Sequence, residues 1–459
     1  MTSAAERQRA SGWLLVAALL YAWEMVGAQL GFVLELRFFL DAATILCLWL
    51  GVRQAYGVLH PFAIYIFFSS IYIMSPFVEV ALLGNQLRLD SVRIALIADM
   101  GTGFMLAATV GLLLLGRAPR AHERMPGVGG QPGLVLGLCG ALLTVYWVLV
   151  VQRYGLNIGG ISRAEQYAEE FTALTFLRSA LVALLGCAAA AVASEASDLP
   201  THRRSSFRWL MFILALYCVG DLLILGDRRL VMMIVVGLVA VLKVKPISAT
   251  QIAIGVMSLV VLTFYGFVRN HPISEWATIL GGVDGVRGLN PAANEFGVMA
   301  IIGGSISDLS NLPNDFPTYI HAVPQLLPKV LYPDRPQAPS EWFVWTYFPV
   351  LARKGAGFAF SAVIEARANG GVLGIAVVGL LTGMTIGLLS RLRWQHAAIG
   401  VPIAIHLFVF SMRMDLTSIL RTATIELIAV AAMVVVIEAI RGAAAAKRGA
   451  VGRPVAQVT

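Results

Sequence analysis

The sequence predicts an all-α polytopic membrane bundle of about twelve transmembrane helices with one large outward loop, and three observations carry that expectation. Hydrophobic residues make up 58% of the 459 positions and charged residues only 13%, well below the share of about 25% in soluble domains. Apolar runs of membrane length recur from Trp13 to Ile440 with no second compositional regime, so a single bundle is expected rather than two or three soluble domains. Every connection that would face the cytoplasm is basic, as the positive-inside rule expects.

Taken in order, the expected spans lie at 13–33, 38–51, 61–83, 94–115, 134–151, 174–193, 209–225, 230–242, 252–268, 371–389, 397–410 and 424–440. The second and eighth are short and call for tilt, a break or extension by their flanks. The first follows a short basic tip, Arg7 to Arg9, lacks a small-residue cleavage site and runs at once into a second span. It reads as an anchor rather than a removed signal peptide. The chain then divides into spans one to nine (1–268), a large outward loop (269–369), and spans ten to twelve with a basic tail (370–459).

With a cytoplasmic amino end, the even-numbered connections face inward, and they carry the basic signature. Arg53, Arg117, Arg120, Arg124, Arg203, Arg204, Arg208, Lys243, Lys245, Arg391 and Arg393 fall there, and the tail adds Arg441, Lys447, Arg448 and Arg453. Both termini are therefore expected inside and the large loop outside. The outer connections are as basic as the inner ones, and nearly all of their cations are arginine, which orientation alone does not require. Arginine's planar fork matches phosphate oxygens and its charge survives burial. An external cavity holding a phosphorylated lipid would need such a set.

Several classes are disfavoured. The four cysteines, Cys47, Cys139, Cys187 and Cys218, fall inside expected spans, where thiols act as small apolar residues. No CxxC or HExxH spacing supports a zinc site. The net charge of +8 is spread between spans rather than gathered in one soluble patch, so no nucleic-acid partner is expected.

Candidate groups cluster in and around the loop. Gly226-Asp227-Arg228-Arg229 forms a tight outer turn. Its paired arginines are costly at membrane depth unless they face an anionic or watery cavity; snorkelling with an ion pair to Asp227 or Asp221 is the plainer alternative. Arg269 and His271 end the ninth span, where Arg269 suits a phosphate and His271 either takes a proton near neutral pH or merely ends the helix. Asn290 and Pro291 open a helix that carries Glu295 in its second turn, as a site group or a dipole partner. Arg287 and His321 are further ionisable groups of the loop.

The stretch 313–339 holds seven prolines and reads as rigid irregular chain with short helical pieces. Trp342, Trp345, Tyr347 and Phe348 read as an interfacial stretch or as rings that stack on sugars. Gly355, Gly357 and Ser361 let backbone approach a ligand, and Glu365 with Arg367 follows at the mouth of the tenth span. Glu365 either deprotonates a hydroxyl or pairs with Arg367, Arg353 or Lys354. Arg413, Asp415 and Arg421 form an outer cluster in which Asp415 holds Arg413. Within the early spans, Glu24, Glu79 and Asp99 suggest proton coupling or structural pairing to Arg37, Arg88 or Arg93.

Three segments, Asn290-Pro-Ala-Ala-Asn-Glu295-Phe-Gly, Pro317-Thr-Tyr-Ile-His-Ala-Val-Pro-Gln-Leu-Leu-Pro328, and Gly357-Phe-Ala-Phe-Ser-Ala-Val-Ile-Glu365-Ala-Arg-Ala-Asn-Gly-Gly-Val-Leu-Gly374, carry a family resemblance. Through them the second half of the chain, from Gly226 onward, resembles the Wzy-type oligosaccharide repeat-unit polymerases of O-antigen and exopolysaccharide synthesis. The first half matches only in hydrophobicity and span count, and Arg367 stands where the family commonly has an aromatic residue.

The resemblance implies a GT-C-like inverting glycosyltransferase of the bacterial inner membrane that needs no metal or other cofactor. It would join undecaprenyl-diphosphate-linked donor and acceptor at the outer leaflet, with a chain-length regulator and a flippase as further partners. Arg228, Arg229, Arg269 and Arg413 are then expected on the diphosphate, Glu365 or His271 at proton removal, and Glu295 at acceptor positioning. Arg287, His321, Arg367 and Asp415 are expected as supporting groups. An O-antigen ligase-type transferase would use the same donor. A lipid-linked oligosaccharide flippase or other transporter would call for internal repeats, and the sequence has none.

Overall fold

The structure is a computed structural model. It describes residues 4–57, 60–82, 90–115, 132–155, 200–220, 297–306, 319–325, 336–353, 360–391 and 411–451, with isolated positions at 174–188, 278, 332 and 334. Every regular element among the described residues is helical.

Helices α1 (Ala4–Gln29) and α2 (Leu34–Tyr56) pack against each other across a tight turn. Gly31, at φ 77°, takes the left-handed conformation that a helix end favours, and the Phe32 N–H reaches back to the Gly27 carbonyl at 2.8 Å. At the far end of α2, Gly57 adopts φ 92° and its N–H closes on Arg53 O. Helix α3 (Pro61–Leu82) starts on a proline, whose missing N–H costs nothing at a first helical position. His60 supplies its cap, with Nδ1 accepting the Phe62 N–H at 3.2 Å. Helix α4 (Ser91–Leu115) is capped by Asp90, whose Oδ1 accepts the Val92 N–H at 3.0 Å. Helices α5 (Pro132–Tyr154) and α6 (Pro200–Gly220) also begin on proline and pack together.

The expected loop, 269–369, contributes α7 (Val298–Ser305), a 3-10 turn at Tyr319–His321, α8 (Ala322–Gln325), α9 (Pro339–Tyr347) and α10 (Pro349–Arg353). Helices α11 (Ala362–Arg391) and α12 (Leu416–Val451) follow. Helix α7 packs on α3 and α4, so part of the loop is inside the bundle rather than above it.

The core is organised on α4, which is buried along most of its length and packs against α1, α2, α3, α7 and α11. Its seam with α11 is made of small residues: Gly379 and Gly383 sit on the Phe104 and Ala108 carbonyls, and Gly111 on the Leu380 carbonyl. Backbones approach this closely only where no side chain stands between them, the usual device for helices packed in lipid. From the Phe104–Gly379 contact to the Ala108–Gly383 contact the pairing advances by four residues on each helix, so α4 and α11 run in the same direction. Many outward side chains are large and apolar, Leu19, Trp23, Phe39, Phe67, Val372 and Leu373 among them, as a lipid-facing surface requires.

Four stretches are long and apolar enough to cross a membrane: Gln8–Gln29, Ser91–Leu115, Gly133–Arg153 and Ala362–Leu389. Two shorter apolar ones lie at Pro61–Phe77 and Ser205–Cys218. The expected second span at 38–51 is extended by its flanks into the 23 residues of α2. The expected spans at 230–242, 252–268 and 397–410 lie outside the described residues. Trp342 is buried among Phe343 and Tyr347 rather than held at an interface, whereas Trp345 is exposed.

Candidate functional site

The described candidate residues converge where α11 and α12 begin. Ser361 caps α11, its Oγ accepting the Val363 N–H at 3.3 Å and its carbonyl accepting the Glu365 N–H at 2.9 Å. One residue on, the Ala362 N–H donates to Ser411 O at 3.0 Å, joining the start of α11 to the turn that precedes α12. Tyr65 of α3 reaches the same turn, its hydroxyl 2.9 Å from Ser411 Oγ. Asp415 caps α12 by accepting the Ser418 N–H at 2.7 Å, and Glu365 Oε2 accepts the Leu416 N–H at 2.6 Å. Glu365 and Asp415 are each about 1% exposed. The Asp415 carboxylate lies close enough to act on Glu365 through its charge.

A second layer is clipped over this one through Asn369. Its Nδ2 donates to the Glu365 carbonyl at 2.9 Å, and its Oδ1 accepts the Tyr319 N–H at 3.0 Å. Burial first, and then the negative charge of Glu365, hold the Tyr319 phenol above its ordinary value, so it stays neutral throughout the physiological range. Just beyond, Gly370 and Gly371 break α11, with Gly371 at φ 60° and ψ −146°. Gly374 then sits against the Ala366 carbonyl, a contact that a β-carbon would block. The Arg367 guanidinium passes over the break, its Nη1 3.9 Å from the position a β-carbon on Gly371 would take. On the neighbouring side, Phe343 of α9 packs its ring 5.7 Å from that of Phe360, fastening the loop helices to the start of α11.

Chemically, the layer combines two helix N-termini, whose free N–H groups favour negative charge, with two buried carboxylates. Arg413 lies in the turn directly before Asp415 and is 7% exposed, so its charge is held inside the protein. Among the expected groups the structure brings Glu365, Arg413 and Asp415 into this one layer. Arg367 lies at the break in α11 and His321 in the 3-10 turn that Asn369 anchors. The remaining expected groups, Arg228, Arg229, Arg269, His271, Arg287 and Glu295, lie outside the described residues.

Sequence reasoning missed Tyr65, Ser411, Tyr319 and Asn369 as members of this layer. It also missed Asp41, which lies with Glu24 and Asp99 in a separate buried group on α1, α2 and α4. Asp41 carried a readable signal, an acid inside an apolar run four residues after Arg37. Arg37 pairs with Asp99 and, at 3.7 Å, with Glu24, which bears out the structural pairing expected for it. Arg93 pairs with Asp90 at 3.5 Å.

Compared with family models, with curated proteins and with solved structures, the chain matches none.

Proposed function

We propose that the chain polymerises lipid-diphosphate-linked oligosaccharide repeat units by glycosyl transfer at the outer leaflet of a bacterial inner membrane. The observation that carries the reading is the layer in which Glu365, Asp415 and Arg413 meet at the joined beginnings of α11 and α12. In this reading twelve helices span the membrane in a GT-C-like bundle with both termini cytoplasmic. Helices α4 and α11 are then the fourth and tenth spans, both running inward, in agreement with their common direction.

A glycan on lipid diphosphate is the donor. A hydroxyl of the next lipid-linked unit attacks its anomeric carbon, the bond to the diphosphate oxygen breaks, and the hydroxyl proton passes to a carboxylate or imidazole. Negative charge develops on the departing diphosphate, and fixed cations aimed at that charge stabilise it most. Arg413, with Arg228, Arg229 and Arg269, fills this role, and Glu365 or His271 takes the proton. Glu295 positions the acceptor, and Arg287, His321, Arg367 and Asp415 hold the surrounding shell. A flippase that delivers repeat units and a chain-length regulator are the partners such an enzyme works with.

The test is reconstitution of the purified protein with a lipid-linked repeat unit and no added divalent metal, scoring a ladder of lengths. A ladder that disappears in Arg413→Ala, with protein level unchanged, is expected. Repeat units left single by the wild type, or an undiminished ladder in the variant, overturns the reading.

A further inference from the structure

Glu24 of α1, Asp41 of α2 and Asp99 of α4 bring one carboxylate oxygen each within 4.8 Å of one another, and all three residues are buried. Arg37 is the cation paired with them: it holds Asp99 Oδ2 directly and lies 3.7 Å from Glu24 Oε1. Three carboxylates against one guanidinium leave two negative charges among apolar helices, a cost that a protein avoids by pairing or neutralising them.

The second observation is the set of oxygens around that charge. Thr44 and Thr102 are fully buried, and neither hydroxyl makes a well-formed hydrogen bond. Thr102 acts on the Asp41 carboxyl, and Thr44 follows Asp41 by three residues on the same face of α2. Glu24 Oε1 and Oε2, Asp41 Oδ1 and Oδ2, and Asp99 Oδ1 likewise make no well-formed hydrogen bond. None of these seven buried oxygens is given a well-formed hydrogen bond by the fold, and the Glu24, Asp41, Asp99 and Thr102 oxygens have one another within reach, with no nitrogen or sulfur among the seven.

We propose that these residues form an intramembrane site for one divalent cation of the calcium type, held by Glu24, Asp41 and Asp99 with the two threonine hydroxyls. Charge selects the valence, since a divalent ion cancels the two uncompensated carboxylates and a monovalent one leaves half of that charge. Donor type and number select the ion. Calcium takes about six to eight oxygens at roughly 2.3–2.6 Å, so oxygens sharing one ion stand up to about 5 Å apart, as these do. Magnesium demands a tighter octahedron and gives up water reluctantly, while softer metals prefer nitrogen and sulfur.

Arg37 is a positioning residue: it occupies Asp99 Oδ2 and leaves Oδ1 without a hydrogen bond. With 12% of its side chain exposed, close to the α1–α2 turn, it also marks the route by which an ion reaches the site. A bound ion would lock α1, α2 and α4 together through one residue from each.

The experiment uses the full-length protein in detergent, stripped with a chelator and free of any glycan substrate, so its result is separate from that of the polymerase assay. Equilibrium dialysis against radioactive calcium is expected to show saturable binding of one ion per chain, with a matching rise in Tm. Binding is expected to fall by roughly a hundredfold in Glu24→Gln and in Asp41→Asn, which remove charge but little volume. Undiminished binding in both variants overturns the site. A wild type that binds no calcium, whether it takes up sodium instead or only protons, overturns the proposal without recourse to any variant.

Discussion

Glu365 Oε2 accepts the main-chain N–H of Leu416 at 2.6 Å, so one carboxylate ties the first turn of α11 to the first turn of α12. Glu365 therefore has an architectural task whatever its chemistry, and the two separate by substitution. Gln keeps an acceptor for Leu416 but cannot take a proton. Glu365→Gln is expected to retain the wild-type Tm within a few degrees while ladder formation falls by about a hundredfold or more. Glu365→Ala leaves the part-buried Leu416 donor without this partner and is expected to lose a further ~1–3 kcal/mol of stability. Full elongation by the Gln variant would reduce Glu365 to a fastener.

The break in α11 allows a paired comparison. Gly371 at φ 60° and ψ −146° occupies a conformation open almost only to glycine, whereas Gly370 at φ −151° and ψ 16° keeps a negative φ and has open space beside it. Gly371→Ala is expected to cost about 1–3 kcal/mol, and Gly370→Ala well under half of that, read as Tm in the same detergent. Asn369→Ala removes two hydrogen bonds and frees the Tyr319 turn. Its signature is faster limited proteolysis in the 313–339 stretch.

The seam between α4 and α11 depends on having no side chains in it. A β-carbon on Gly383 would run into the Ala108 carbonyl, an atom that moves only with its helix. Gly383→Ala is expected to cost about 1–3 kcal/mol by overpacking, against the usual gain of an alanine in a helix. Gly442→Ala, in α12 with open space around it, is the control and is expected to be neutral or slightly stabilising. Equal Tm values for the two variants would remove the seam as an organising contact.

What the linear pattern reveals and what it hides divide along physical lines. Apolar runs at 13–33, 61–83, 94–115 and 371–389 locate α1, α3, α4 and α11, because burial in lipid leaves a signal in every residue of a span. Proline marks the starts of α3, α5, α6, α9 and α10, because its lost N–H is harmless only there. The Ser361, Glu365, Asn369 and Gly370-Gly371 sequence stands out as a motif, yet nothing in it says that the glutamate is a tie between helices, the asparagine a clip and the glycines a break. Those roles depend on Leu416, Tyr319 and Ala366, two of them about fifty residues away. Asp41 is legible as an acid inside an apolar run, but its grouping with Glu24 and Asp99 is hidden for the same reason, since they come from other helices. Trp342 was misplaced because an aromatic near a membrane looks alike whether it anchors the surface or fills the core.

His60 gives the chain a pH response of known direction. Its Nδ1 is engaged as acceptor of the Phe62 N–H, its ring stacks 4.9 Å from Tyr56, and burial pushes its pKa down from the ordinary 6.5 to about 3. In the folded protein the imidazole is thus neutral from neutral pH down to about 3, while in the unfolded chain it gains a proton below about 6.5. The unfolded state binds more protons throughout that window, so acidification favours unfolding. The stability contributed is complete above pH 6.5 and is lost by up to about 1.4 kcal/mol per pH unit below it. Asn at position 60 still accepts the Phe62 N–H through its side-chain oxygen but does not titrate. The expected result is a fall in Tm from pH 7.5 to pH 5 that is visibly shallower in His60→Asn than in the wild type. Coincident curves for the two proteins would mean that His60 gains a proton within the folded state, and the buried cap at the start of α3 would have to be redrawn.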